Sequence, residues 1–209
     1  MKQLSDNAIL CNGKYKIERV LGQGGFGITY LAKQKVSVAG ALGTIDAEIE
    51  VTIKEFFMKE LCNRDEASSM VTVPSTGSAE LVEKFRQKFI KEAKNISKLT
   101  HPYIIKVLDV FEENGTAYYV MEYIDGGSLS DLIEKKGSLS EEETLKYTRQ
   151  IASALQYIHA HNMNHLDVKP GNVLLRQNGD VVLIDFGMSK NYDAAGEQTT
   201  SSPVGVSVG

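Results

Sequence analysis

Cysteine is scarce: Cys11 and Cys62 stand far apart, in no redox or metal-like spacing, which excludes a disulfide framework and a cysteine-based metal site. No apolar segment of the secretory kind opens the chain, so a reducing, cytoplasmic setting is expected. No run approaches the roughly 18 uninterrupted apolar residues that cross a bilayer, and no membrane contact is expected within this chain. Neither sign of charge dominates. Lys+Arg 23 against Asp+Glu 27 gives a formal net charge of −4, which argues against nucleic acid or an anionic lipid surface as the main partner. Internal repeats and long low-complexity stretches are absent too. What remains is an ordinary globular composition, 209 residues and 42% hydrophobic, long enough to bury a core without cross-links.

Tyr15–Leu21 alternates polar and apolar as a half-buried strand does, glycines follow at Gly22, Gly24, Gly25 and Gly27, and Ile28–Lys33 reads as strand again. Residues 36–47 read as a loop or irregular hairpin, Ile49–Phe57 as a third strand and residues 62–79 as a loop. From Leu81 to Leu99, Phe85, Phe89, Ile96 and Leu99 share one helical stripe, with Glu92 on it, and His101-Pro102 ends the helix. Strands at 104–111 and 116–123 join through Asn114-Gly115 and complete a unit of five strands and one helix. Helix dominates from Asp125 onward. A short helix is expected at 128–135, and Ser140–Glu143 is a capping box opening a long helix with Leu145, Thr148, Ala152, Leu155 and Ile158 inward. Asn178-Gly179 links short strands at 173–176 and 181–184, before a Ser/Thr/Gly-rich tail.

Gly22-Gln23-Gly24-Gly25-Phe26-Gly27 fits GxGxxG, a pattern shared by dinucleotide-binding folds, kinases and plain tight hairpins. A dinucleotide site needs a helix directly after the glycines, whereas Ile28-Thr29-Tyr30-Leu31 continues as a strand. A strand–turn–strand flap can instead bring backbone N–H groups close to phosphates. Lys54 lies on the strand after the flap, and Glu92 lies on an apolar stripe where a carboxylate is poorly solvated unless it meets a cation. A Lys54–Glu92 pair is therefore expected, against the plainer readings of a solvated lysine and a glutamate reaching water. His159, His161 and His165 lack a complementary ligand set, and the basic residues along 84–98 read as a solvated face.

His165-Leu166-Asp167-Val168-Lys169-Pro170-Gly171-Asn172 resembles the catalytic loop H-R-D-L-K-x-x-N, and Asp185-Phe186-Gly187 follows in order and spacing. With the flap, Lys54 and Glu92, the chain resembles a eukaryotic-like (Hanks-type) Ser/Thr protein kinase catalytic domain of bacterial style, truncated within its C-lobe. The resemblance implies an α+β bilobal fold: 1–124 as N-lobe and hinge, 125–209 as a partial, mainly helical C-lobe ending in the activation segment. It implies ATP-dependent phosphoryl transfer to Ser/Thr hydroxyls of protein substrates, with Mg²⁺; the alternative is a catalytically weak nucleotide-binding regulatory or scaffold module. By resemblance, Gly22–Gly27, including Gln23 and Phe26, cover the phosphates, Lys54 contacts them with Glu92 orienting it, and Asn172 and Asp185 hold the metal. Asp167 accepts the acceptor's proton and Lys169 steadies the γ-phosphate. Leu21 and Thr29 roof the adenine, Leu174 floors it, and the backbone of Glu122 to Ile124 binds its edge beside Met121. Leu166 departs from the usual arginine, so activity independent of phosphorylation at Thr199, Thr200, Ser201 or Ser202 is expected. Pro203–Gly209 resembles a substrate-docking loop, and the short C-lobe implies exposed apolar surface and self-association.

Overall fold

In a computed structural model the described residues are 2–40, 43–187 and 190–191, so Thr199–Ser202 and the docking-like segment 203–209 lie outside them. The chain divides into two compact units, one of residues up to Ser97 with Val107–Tyr123, the other of Lys98–Lys106 with the chain from Ile124 onward.

The first unit holds β1 (Ile9–Leu10), β2 (Tyr15–Gln23), β3 (Gly27–Gly40), β4 (Gly43–Phe56), β5 (Asn63–Arg64), β6 (Val71–Thr72), α1 (Thr76–Ile96), β7 (Val107–Glu113) and β8 (Thr116–Glu122). Six strands form one antiparallel sheet in the order β1-β2-β3-β4-β8-β7. The five expected strands are present, and β1 is an addition too short to show any alternation. The stretch 36–47, expected as a loop or irregular hairpin, is regular ladder on both sides of residues 41 and 42. Its cross-strand partners explain the regularity: Lys33 opposes Glu50, Lys35 opposes Glu48, and Ser37 Oγ donates to Asp46 Oδ1 at 2.6 Å. The expected loop 62–79 contains the small β5–β6 hairpin, and α1 starts at Thr76 rather than Leu81. One sheet face buries Tyr15, Ile17, Ile28, Tyr30, Val51, Ile53, Tyr118 and Val120. Strand alternation puts Thr29, Thr52, Lys54, Tyr119 and Met121 on the other.

The second unit holds α2 (Leu129–Lys136), α3 (Glu141–Ala160), β9 (Met163–Asn164), a 3-10 turn at Pro170–Asn172, β10 (Val173–Leu175), β11 (Val181–Leu183) and β12 (Lys190–Asn191). Both helices of this unit open with complete capping boxes, Ser128 with Asp131 and Ser140 with Glu143. The buried stripe of α3 is Tyr147, Gln150, Ala154 and Ile158, while Leu145, Thr148 and Ala152 face outward. Gln150 explains the rotation. Its amide donates to Asp180 Oδ1 at 2.6 Å and accepts from Val181 N–H at 2.9 Å, so a polar residue faces inward to hold the β10–β11 hairpin. Gly126 is demanded by close approach, since a Cβ there would stand 2.1 Å from the Leu175 carbonyl oxygen.

Candidate active site

In the first unit, the end of β2 and the start of β3 form the flap. Gly24 N–H donates to the Gly27 carbonyl at 2.9 Å, closing the turn. Phe57 N–H donates to the Phe26 carbonyl, and Lys59 N–H to the Gly25 carbonyl, each at 3.1 Å. A Cβ at Gly22, Gly24 or Gly25 would meet no protein atom within 4 Å, whereas one at Gly27 would stand 2.7 Å from the Glu55 carbonyl oxygen. Gly27 is thus demanded by the fold, and the other three leave bare backbone that a phosphate can approach. Gln23 is exposed, and the exposed Phe26 sets its ring 5.6 Å from that of Phe85 on α1.

Lys54 is half-buried on β4, its Nζ 6.0 Å from the centroid of the Tyr119 ring. Phe89 of α1 packs on that same ring at 5.0 Å and on Phe56 at 5.7 Å. Glu92 follows Phe89 by three positions, so the helix stripe that carries it meets the strand face that carries Lys54. Thr29, directly opposite Lys54, and Met121, directly opposite Thr52, share this face, while Leu21 is exposed beside the flap and Glu122 is half-buried at the end of β8.

In the second unit, His165 is buried and ties two loops together. Its Nδ1 accepts from Asp167 N–H at 3.2 Å, so its Nε2 carries the proton and donates to the Ile184 carbonyl at 3.0 Å. Burial lowers the affinity of this ring for a second proton, and Phe186, fully buried, packs against it at 4.6 Å. Asn172 Nδ2 donates to the carbonyl of Asp167 at 2.9 Å and to its Oδ2 at 2.8 Å, and Lys169 Nζ lies 2.9 Å from the same Oδ2. Ile184 N–H donates to the Asn172 carbonyl at 2.9 Å, which sets Asp185 beside this cluster. Leu166 (φ 66°) and Asp185 (φ 60°) both adopt left-handed backbone, a strained arrangement that clusters at functional positions. Leu174 is half-buried in β10, opposite Val182, and Ile124 is buried.

Among the described residues no three His, Cys, Asp or Glu groups gather as a metal site. Asp185 and Asn172 nevertheless suit a magnesium ion. The Asn172 amino group is occupied by Asp167, which fixes the amide orientation and leaves its oxygen as the hard donor of the pair, to complement a carboxylate. His159 and His161 lie at the end of α3, where His161 Nδ1 is 2.8 Å from the Tyr157 carbonyl, and neither joins the cluster. Sequence reasoning missed Glu55, whose signal was available: it falls in register with Val51 and Ile53, a buried face where a carboxylate needs partners.

Residues 59–207 match the family model of the protein kinase domain. The chain is 34% identical over 188 residues to the probable serine/threonine-protein kinase MARK-C of Dictyostelium discoideum, covering 88% of this chain and 20% of that protein. It is 30% identical over 194 residues to the serine/threonine-protein kinase PrkC of Bacillus subtilis, covering 93% of this chain and 26% of that protein. The chain thus spans about a quarter or less of the length of these curated relatives. A solved structure described as the apo form of PpkA-294 superposes with a TM-score of 0.77 at 25% identity, over 90% of this chain and 62% of that one. With its α+β architecture and its kinase-like motifs in order, the chain belongs to the protein kinase domain family.

Proposed function

We propose that this chain transfers phosphate from ATP to Ser/Thr hydroxyls of proteins, with 1–124 as the N-lobe and hinge and 125–209 as part of the C-lobe. The observation that carries the reading is the Asp167 carboxylate, held at Oδ2 by both Asn172 and Lys169. Its Oδ1 makes neither of those bonds and is the atom offered to an acceptor hydroxyl. Phosphoryl transfer asks the protein mainly for positioning and charge neutralisation, and these groups supply both. Bound Mg²⁺, held by Asp185 and the Asn172 amide oxygen, would neutralise charge on the triphosphate.

In this reading the bare backbone of Gly22, Gly24 and Gly25 lies over the phosphates, Lys54 contacts them with Glu92 orienting it, and Lys169 steadies the γ-phosphate. Leu21, Thr29, Met121 and Leu174 surround the adenine, whose edge meets the backbone of Glu122 to Ile124. Lys169, two positions after Asp167, resembles the Ser/Thr-directed pattern. Leu166 offers no guanidinium to a phosphate, so activity does not depend on phosphorylation of the later segment. Self-association through exposed Leu145, Leu166 and Val168 belongs to the same reading. So does a cytoplasmic setting, in keeping with Cys11 and Cys62 as free thiols.

The test is transfer of labelled phosphate from Mg-ATP to the chain itself and to generic basic proteins, with Asp167→Asn as control. Removing a general base is expected to lower the rate by about 10²–10⁴-fold. Transfer that survives unchanged in Asp167→Asn sinks the assignment. Mg-ATP binding without any transfer favours the regulatory alternative.

A further inference from the structure

The first unit buries an ion pair that the proposed chemistry does not use. The Glu55 side chain is wholly buried, and that of Arg64 is 3% exposed. Glu55 Oε1 accepts from Arg64 Nη2 at 2.6 Å and from Tyr118 hydroxyl at 2.8 Å, and its Oε2 accepts from Tyr30 hydroxyl at 2.7 Å. Arg64 spends its other nitrogens on backbone: Nε donates to the Lys2 carbonyl at 2.9 Å and Nη1 to the Ser69 carbonyl at 2.8 Å. Its guanidinium also lies over the Phe57 ring, 5.3 Å from the centroid. Arg64 reaches this place because the β5–β6 hairpin turns it inward. Asp65 Oδ1 accepts from Ser68 N–H, and Val71 N–H donates to the Asn114 carbonyl, anchoring that hairpin to the β7–β8 turn.

Two of the residues that Arg64 grips, Glu55 and Phe57, have backbones that help carry the flap. The Glu55 carbonyl oxygen sits under Gly27, where a Cβ would stand 2.7 Å away, and Phe57 N–H donates to the Phe26 carbonyl at 3.1 Å. Lys54 immediately precedes Glu55 and points to the opposite sheet face. A single guanidinium therefore fixes, from behind the sheet, the end of β4, the seat of the flap and the strand position of Lys54. Core stability alone does not account for this placement, because a well-packed apolar pair at Glu55 and Arg64 would often stabilise as well or better. What the fork adds is direction: it holds a carboxylate, two carbonyls and a ring at once, which only a planar multi-donor group can do.

We propose that Arg64, acting through Glu55 and Phe57, is a positioning residue for the phosphate-binding flap and Lys54. The assignment rests on the nucleotide-site reading above, and the experiment separates the two. Mg-ATP binding to Arg64→Met is measured by calorimetry, with amide hydrogen exchange followed at Gly24, Phe57 and Lys59, the donors that close and seat the flap. The expected result is a dissociation constant raised about tenfold and exchange at Phe57 and Lys59 faster by a similar factor, with unchanged binding stoichiometry. A purely structural role predicts the reverse: fewer competent molecules at the wild-type dissociation constant, as for Ile17→Val, a core substitution on the same sheet. Should Arg64→Met fail to fold, Arg64→Lys keeps the charge opposite Glu55 but loses the fork, and a smaller shift in the same direction is expected. Wild-type affinity and wild-type exchange in whichever variant folds overturn the proposal. A wild-type chain that binds no Mg-ATP overturns the nucleotide-site reading instead, while the exchange rates still decide whether Arg64 seats the flap.

Discussion

Gly25 and Gly27 stand two positions apart in one turn and answer to different constraints. A methyl group at 27 must displace the Glu55 carbonyl, whereas one at 25 meets no protein atom. Gly27→Ala is expected to destabilise the first unit by about 1–3 kcal/mol, the usual cost of overpacking against backbone. Gly25→Ala is expected to stay within about 0.5 kcal/mol of wild type yet weaken Mg-ATP binding, since its effect falls on the ligand. Thermal melts and calorimetry on the two variants check this; equal losses of stability would dissolve the distinction. The Asp167, Lys169 and Asn172 cluster was legible in the sequence because its members lie within five positions of one another, and their side chains meet. Arg64 was not, because its partner Glu55 is reached only after a hairpin reverses the chain, and no periodicity reports such a contact.

At the scale of elements, local chemistry set the start of α3 better than its face. The Ser140–Glu143 box was readable, and the structure contains both of its halves: Glu143 N–H donates to Ser140 Oγ, and Ser140 N–H donates to Glu143 Oε2, each at 3.1 Å. Ser140→Ala is expected to cost about 1 kcal/mol, seen as a lower urea midpoint with an unchanged slope. The α3 stripe was misjudged because Gln150 faces inward on account of Asp180 and Val181, partners that arrive 30 and 31 residues later. No hydropathy pattern contains that information. The β3–β4 ladder was likewise hidden behind glycine and alanine, and its regularity comes from cross-strand pairs such as Lys35 opposite Glu48.

For the molecule as a whole, buried His165 and half-buried His101 couple folding to pH. Burial lowers the proton affinity of both His165 and His101, so each binds a proton less readily folded than unfolded. A base with a depressed folded pKa contributes its full stability above the ordinary histidine value of about 6.5, and that contribution is lost as pH falls below it. The melting temperature is therefore expected to drop between pH 7.5 and 5.5, with a shallower slope in His165→Gln, His101 carrying the remainder. A melting temperature that rises on acidification over this window would contradict the neutral His165 on which the catalytic loop is hung. The amino-acid sequence by itself determined the α+β class, the order of the five long strands of the first unit and of the three helices, the capped start of α3 and the identity of the motif residues, since each depends on neighbours within a few positions. Only the tertiary structure decided that His165 hangs Asp167 from Ile184, that Gln150 belongs inside, and that Arg64 reaches Glu55 behind the flap. Those contacts join segments far apart along the chain, and burial, which makes an unpaired polar group costly, selects them only once the whole has folded.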